Sequence, residues 1–492
     1  MTRPTSKVAR VIPIRAVVEE GRATAAPSPA SELGASLYEK QKKIYVRSMR
    51  GWFASWRWAM VFVTQAIFYG IPWVTWNGRP AVLFDLAARR FFLFDLVLYP
   101  QDFIYLSALL IVCAYSLFFF TAIGGRLWCG YACPQTVYTE IFRWVERRFE
   151  GDRGAHVRRD AAGWSVDKTL RKTGKHATWL TIAWWTGFTF VGYFTPIRTL
   201  WGEAFTLSFG PWEWFWVNFY GLATYGNAGF LREQVCKYMC PYAHFQSAMF
   251  DKDTMIVSYD TTRGEPRGKR ARGSDTAALG VGDCIDCGLC VQVCPMGIDI
   301  RDGLQYECTA CTACIDACNG VMTKMHYPQG LIRYATERGL AQKSTQREMF
   351  RRVLRPRVLI YATVLMVIAS AFVFGVASRD PVRVDVVRDR VTLARIVDHG
   401  EIENVYRLQL MNATEFEQDA RLRVDGMQGA FLAGFAEVHL LPAEARWVTL
   451  AVRVPADAAS AAGPGSHPIV FVTTLERDAR PVRERSTFIV PR

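Results

Sequence analysis

Eight of the thirteen cysteines in this 492-residue chain fall in one short stretch. They read Cys284-x₂-Cys287-x₂-Cys290-x₃-Cys294-Pro295, then Cys308-x₂-Cys311-x₂-Cys314-x₃-Cys318. In such tandem runs the fourth thiolate of each run ligates the cluster of the other. The spacing therefore predicts two [4Fe–4S] clusters, one on Cys284, Cys287, Cys290 and Cys318, the other on Cys308, Cys311, Cys314 and Cys294. Zinc favours two separated ligand pairs, and disulfides need an oxidising compartment. The stretch reads as a relay for single electrons.

An internal echo carries a second signal. Cys129-Gly-Tyr-Ala-Cys133-Pro134 and Cys236-Lys-Tyr-Met-Cys240-Pro241 share the pattern C-x-Y-x-C-P, and each follows an arginine, Arg126 or Arg232. Either proline suits the first position of a helix. After the first copy Val137, Tyr138, Ile141, Phe142, Val145 and Phe149 recur at helical spacing, with Arg143, Arg147 and Arg148 between them. That is the pattern of an amphipathic helix lying along a membrane surface. Two equivalent hairpins would gather four thiols at one depth. Soft thiolates select Cu(I), zinc or an iron–sulfur cluster, and Met239 and His244 are further candidate ligands. Two proline-initiated turns with incidental cysteines are the plain alternative, and spacing alone leaves these readings open.

Other chemistry is thinly supported. Cys113, inside an apolar run, reads as a buried small side chain. His156, His176 and His326 have no second histidine at ligand spacing and read as surface residues. There is no phosphate-binding G-x₄-G-K-[ST], Ile315 follows Cys314 where covalent haem needs histidine, and Gly280-Val-Gly282 lacks the third glycine of a dinucleotide fingerprint. Electrons must come from a cytoplasmic donor or a membrane quinol.

The elements that would position these residues are largely apolar. Five stretches have the character of membrane helices: Trp58–Val74, Phe103–Ile123, Thr178–Phe194, Trp214–Leu231 and Val358–Ala377. Arg57 is placed to snorkel at the inner end of the first. The formal charge of +14 is concentrated in residues 1–52, 124–177 and 232–357, alternating with loops poor in Lys and Arg. That follows the positive-inside rule and makes nucleic-acid binding unnecessary as an explanation. Past the fifth stretch, Tyr406, Leu408 and Leu410 alternate with Arg407 and Gln409, and Val448 to Val454 repeats the period of two. About seven such strands predict an immunoglobulin-like sandwich without a catalytic constellation.

The predicted fold is thus a multi-pass α-helical membrane protein of about five spans, with an inserted two-cluster ferredoxin domain and a C-terminal immunoglobulin-like β-sandwich. The segments are a disordered basic tail at 1–50, a four-span region with both C-x₃-C-P motifs at 51–250, the ferredoxin domain at 251–350, a fifth helix at 351–378 and the sandwich at 379–492. Five crossings put the tail and the clusters in the cytoplasm and the sandwich in the periplasm, at the inner membrane.

The motifs together resemble the cytochrome c oxidase accessory family called CcoG, also known as FixG or RdxA. Thr224 to Gly229, Cys236-Lys-Tyr-Met-Cys-Pro-Tyr242 and Tyr327-Pro-Gln-Gly-Leu-Ile-Arg333 are especially similar to it. The resemblance implies a membrane polyferredoxin that reduces Cu(II) to Cu(I) during assembly of cbb3-type oxidases, working with copper-handling proteins. It implies that Cys129, Cys133, Cys236 and Cys240 bind the copper and pass the electron. Asn319 stands after Cys318 where proline follows Cys294, a departure that implies unequal cluster potentials. Two other readings compete: a quinol-linked electron-transfer subunit of a respiratory reductase, and a metal-chaperone scaffold whose clusters only support the fold.

Overall fold

The computed structural model describes residues 43–272, 274, 279–389, 393–475 and 481–492. The tail read over 1–50 lies outside the described residues as far as residue 42, and a compact unit runs from Tyr45 to Arg492.

The longer helices are α1 (Trp52–Gly70), α2 (Phe103–Gly124), α3 (Pro134–Glu150), α4 (Val166–Val191), α5 (Pro211–Gly226), α6 (Ala313–Met325) and α7 (Pro356–Ala377). Their ends follow from local chemistry. Pro134 opens α3, and Ser165 accepts from the Lys168 amide to start α4. Gly51 has no side chain with which to cap α1, so Asp316 of α6 does it, accepting from the amides of Phe53 (3.3 Å) and Ala54 (2.8 Å). A carboxylate at a helix N-terminus also meets the positive end of the dipole.

The expectation of about five spans does not hold. Among the described residues two helices are long and apolar enough to cross a membrane, Pro100–Gly124 and Pro356–Ala377. Helix α1 has the length but is interrupted by Arg57 and Gln65, and Arg57 is buried rather than snorkelling. Helix α4 spends its first turns on Asp167, Lys168, Arg171, Lys172 and Lys175, which leaves too short an apolar remainder. Helix α5 stops after 16 residues, where Asn227 begins a π-helical turn. The topology argued from five crossings loses its basis.

The two apolar helices pack side by side and antiparallel, with the Tyr105 hydroxyl donating to the Gly375 carbonyl (3.2 Å) and Tyr115 edge-on to Tyr361. Their outer faces are bare: Leu110, Ile111, Ile360, Met366, Val367 and Phe374 are all exposed. So much uncovered apolar surface on membrane-length helices associates the protein with a lipid bilayer. Cys113 sits on that exposed face, not in a core.

At one end of the pair, buried Asp102 holds Arg379 (3.2 Å) and Arg383 (2.9 Å) at the entry to the C-terminal domain. At the other, Arg355 and Arg357 meet Asp251 beside the cysteine-rich region (3.0 and 2.9 Å). The C-terminal domain is a sandwich of two antiparallel sheets. One runs Phe431–Ala433, Ala445–Val454, Ile402–Asn412, Val382–Arg388, and the other Glu437–Leu440, Gln418–Asp425, Gly465–Leu475, Val482–Val490. Tyr406, Leu408 and Leu410 point into its core against Phe471 and Phe488, as their alternation requires. A three-stranded sheet between α1 and α2, Val82–Asp85, Arg90–Leu93 and Leu96–Leu98, was not legible in the sequence. It buries Phe92, Val97 and Tyr99 against Met411, Ala413 and Ala443 of the sandwich.

The cysteine-rich region is built on a two-stranded ribbon, Ile256–Tyr259 with Ile332–Ala335, and on α6. Val257, Ile315, Met322, Leu331 and Ile332 form its small core.

Candidate redox centres

Two cavities open among the eight tandem cysteines. One, of about 370 Å³, is lined by Cys284, Cys287, Cys290 and Cys318. The other, of about 350 Å³, is lined by Cys294, Cys308, Cys311 and Cys314, and Cys290 lines both. Each cavity takes three thiols from one run and its fourth from the other. Loop φ values explain how: Gly288 and Thr312 adopt left-handed conformations that turn the chain so its thiols face inward.

The cavities fit an iron–sulfur cluster better than a single ion. A tetrahedral zinc with 2.3 Å Zn–S bonds needs sulfurs about 3.8 Å apart. Among the described residues no three Sγ atoms come within 4.8 Å of one another. Among the described residues no carboxylate or imidazole lines either cavity, so the donors there are sulfur. Burial, with crowding by other thiols, pushes Cys308 and Cys318 up to about 12 and Cys290 and Cys294 up to about 11, and raises Cys314 well above the ordinary range. A cationic core would let these thiols ionise together. The amides of Met296, Gly297 and Ile298 donate to the Cys294 sulfur, the backbone bonding that tunes such clusters. None of the thirteen cysteines is in a disulfide.

The C-x₃-C-P motifs converge without closing on one ion: among the described residues no three of their four Sγ atoms lie within 4.8 Å of one another. Burial first, then the neighbouring thiols, push Cys129 up to about 12 and Cys236 up to about 11, and raise Cys133; Cys129 feels Cys133, Cys236 and Cys240 together. The echo is one of sequence more than shape: Leu127–Tyr131 is α-helical, Val235–Met239 π-helical. Polar clamps join the copies. Gln135 Nε2 donates to the carbonyls of Asn227 (2.9 Å) and Arg232 (3.0 Å), and fully buried Gln246 accepts from Cys129 Sγ (3.3 Å). Met239 and His244, candidate extra ligands, are exposed, and His244 stacks near Tyr306.

This four-thiol cluster abuts the second cavity. A pocket of about 400 Å³ has Cys236 in one wall and Cys311, Pro295 and Met296 in another. The close approach depends on Gly130, inside the first motif. A β-carbon there would stand 2.6 Å from the Ala310 carbonyl oxygen, between Cys308 and Cys311. Tyr131 and Thr312 share a hydroxyl hydrogen bond (2.8 Å) across the same contact.

The sequence reading named Arg57, Arg126 and Arg143 but gave them no part in the cluster site. Arg57, Arg126 and Arg143 are each less than a tenth exposed, and each donates to a backbone carbonyl of the second cavity's loops: Cys311 (3.1 Å), Cys308 (3.4 Å) and Pro295 (3.2 Å). A signal existed. Thr136, Thr139, Glu140, Arg143 and Glu146 form a polar stripe at helical spacing along α3, and this stripe is packed against protein rather than lipid headgroups. His156, read as a surface residue, is also buried. It lies against Glu150 (3.0 Å) and Asp160 (3.3 Å) in a charge network that includes Lys172, Lys175, Glu146 and Arg232. Glu146, Glu150 and His156 have metal-ligand spacing, but the lysines and Arg232 already pair with the carboxylates.

Three family models match parts of the chain. Residues 231–337 match the 4Fe-4S dicluster domain, 106–151 a 4Fe-4S binding domain, and 372–491 the IG-like fold at the C-terminus of FixG, a putative oxidoreductase. The nitrogen fixation protein FixG of Rhizobium meliloti is 38% identical over 83% of this chain and 84% of its own length. Protein RdxA of Cereibacter sphaeroides is 40% identical over 80% of this chain and 84% of its own. A crystal structure of a FixG-related protein from Vibrio parahaemolyticus, 26% identical, covers 23% of this chain and 97% of its own at a TM-score of 0.21, too low to bear on the whole fold. Identity of this level across four-fifths of the chain, with cluster domains and sandwich in register, makes the protein a member of the FixG/RdxA family of iron–sulfur electron-transfer proteins.

Proposed function

We propose that the protein reduces Cu(II) to Cu(I), in support of cbb3-type oxidase assembly, at the site formed by Cys129, Cys133, Cys236 and Cys240. One observation carries this reading: both C-x₃-C-P thiol pairs gather beside the second cavity, with Cys236 and Cys311 lining one pocket. On this reading Cys284, Cys287, Cys290 and Cys318 hold one cluster, and Cys308, Cys311, Cys314 and Cys294 the other. When bound, these clusters supply electrons singly. The chain's part is to keep the thiol pairs close to that supply and to offer copper a soft, half-buried seat. Cu(II) gains one electron, and thiolate favours the Cu(I) that results. Because burial raises these thiols, copper must displace their protons on binding.

The clusters and the sandwich are proposed to face opposite sides of the membrane, clusters in the cytoplasm and sandwich in the periplasm. Support comes from α2 and α7, each of 22 residues and so about 33 Å long, which join the two parts at opposite ends. Anaerobic titration of the purified chain with Cu(I) tests the seat. Thiolate-to-copper absorption is expected in the unsubstituted protein and should be lost in Cys129→Ser/Cys236→Ser with iron content unchanged. Retained absorption would remove these cysteines from the mechanism.

A second reading, oxidation of a membrane quinol, is favoured by a cleft of about 690 Å³. Phe190, Phe194, Trp216 and Tyr220 line it, with Asp85 and Glu213 as proton acceptors. It lies toward the opposite end of α5 from the thiols: from Trp216 to Asn227 alone is about 17 Å of helix rise. Quinol-dependent bleaching of the clusters that disappears in Glu213→Gln would establish it.

A further inference from the structure

The two cavities differ in the charge around them. Arg301 lines the first, and it is neutralised by Asp299 (2.6 Å) and Asp286 (2.6 Å). Arg270, which reaches the Cys284 carbonyl at 3.5 Å, is only half-buried. Cys287 is exposed, so this cavity has an opening to solvent.

The second cavity is ringed by buried guanidinium groups from the helical part of the chain. Arg57 has Glu140 as a partner at 4.0 Å. Arg126 and Arg143 have no carboxylate at ion-pair distance among the described residues, although they are only 4% and 7% exposed. Glu140 is taken up by Arg57 and Arg147, and Glu146 by Arg232 and Lys175, so both act on Arg143 from farther away. The Nε donors of Arg126 and Arg143 are buried without a hydrogen-bond partner. Burial, then the nearby charge of Arg232, lowers the Arg143 guanidinium below its ordinary value. Uncompensated buried cations are costly and normally acquire a counter-charge. A cluster with four thiolates is an anion, and it gains a further negative charge on reduction.

We propose that Arg126 and Arg143 are the counter-charge of the cluster on Cys294, Cys308, Cys311 and Cys314, and hold its reduction potential above that of the cluster on Cys284, Cys287, Cys290 and Cys318. Net charge, hydrogen bonds to the sulfurs and solvent exposure set such potentials; exposure at Cys287 acts to raise that of the first cluster, so the charge of the two buried arginines must outweigh it. The order of transfer follows. With both cavities filled, exposed Cys287 would offer the point of entry to a donor, and Arg126 and Arg143 would favour the reduced form next to the four-thiol site until an acceptor takes the electron. Arg126 and Arg143 are positioning residues that act through the cluster; Arg126 also lies near Cys129 and Cys236, so its effect on the cluster is read without copper. The inference rests on the iron–sulfur reading alone, so the copper reaction can fail without affecting it.

The test is a redox titration followed by electron paramagnetic resonance on the full chain, purified without oxygen, copper-free, with iron and sulfide counted per chain. Two separated midpoints are expected. Arg143→Gln and Arg126→Gln should lower the higher midpoint and leave the lower unmoved, whereas Arg143→Lys, which restores the charge, should return it. Arg301→Gln, which bares two carboxylates beside the other cavity, should lower the lower midpoint. Coincident midpoints in the unsubstituted chain would overturn the proposal even if every glutamine variant lost iron. Movement of the lower midpoint by Arg143→Gln, or an Arg143→Lys protein that behaves like Arg143→Gln, would do the same.

Discussion

Arg57 of α1 donates from Nη1 to the carbonyl of Cys311, 3.1 Å away and 254 residues further along the chain. The contact ties the first long helix to a loop of the second cluster cavity. Asp316 reinforces it from α6 by capping the same helix. The helical part and the ferredoxin part therefore share one buried polar seam, and the four-thiol site lies along it. Consequences of this arrangement are measurable.

The proposed crossed ligation makes the two cavities separable. Cys318→Ser removes a thiol from the Cys284 cavity, and Cys294→Ser removes one from the Cys308 cavity, although each residue lies in the other run. Each variant should keep about half the iron, with a different one of the two paramagnetic signals remaining. Iron analysis with spectroscopy checks this. Loss of the signal belonging to the same run would show uncrossed ligation.

Gly130 sets the spacing between the first motif and the Cys308–Cys311 loop. Gly130→Val should push the two backbones apart, because the contact is with a carbonyl and not with a yielding side chain. Overpacking of this kind costs about 1–3 kcal/mol. Iron should be retained, while electron passage to added Cu(II), timed by stopped flow, should slow at least tenfold.

Asp102 pairs with both Arg379 and Arg383 where α2 and α7 meet the sandwich. Asp102→Ala leaves two guanidinium groups without their buried partner, a loss on the order of 3–5 kcal/mol. The sandwich should become sensitive to protease at a lower temperature, with cluster absorbance unchanged at first. Equal stability of the variant would mean that water compensates both arginines.

The four-thiol site should bind copper more tightly as pH rises. Cys129 and Cys236 are pushed up to about 12 and about 11, so near neutrality they are protonated and copper must release those protons. Each thiol deprotonated on binding adds about tenfold in affinity per pH unit below its own pKa. Competition with a Cu(I) chelator between pH 6 and pH 8 measures the slope. A flat profile would mean that the thiols are not the ligands.

Legibility from sequence tracked how local each signal is. The eight tandem cysteines line two adjacent cavities, because the fold of a short insert is dictated by its own ligand runs. Alternation at Tyr406, Leu408 and Leu410 revealed the sandwich, since the period of two belongs to the strand itself. Apolar length misled. Tryptophan- and tyrosine-rich α1, α4 and α5 read as spans, but Arg57, the basic first turns of α4 and Asn227 limit their apolar runs. Arg143 was assigned to the solvated face of an amphipathic helix; only its packing against Pro295, 152 residues away, shows that the face is covered. No local pattern encodes such a contact.

The most direct measurement is Cu(I) produced per reduced cluster. The full chain, reduced anaerobically and freed of reductant, is mixed with Cu(II), and Cu(I) is read with a selective chromophoric chelator. The unsubstituted protein should give one Cu(I) for each electron its clusters lose, and Cys129→Ser/Cys133→Ser should keep its iron and stay reduced. Equal Cu(I) from that variant, or clusters in the unsubstituted protein that remain reduced in the presence of Cu(II), would contradict a copper reductase built on these thiols.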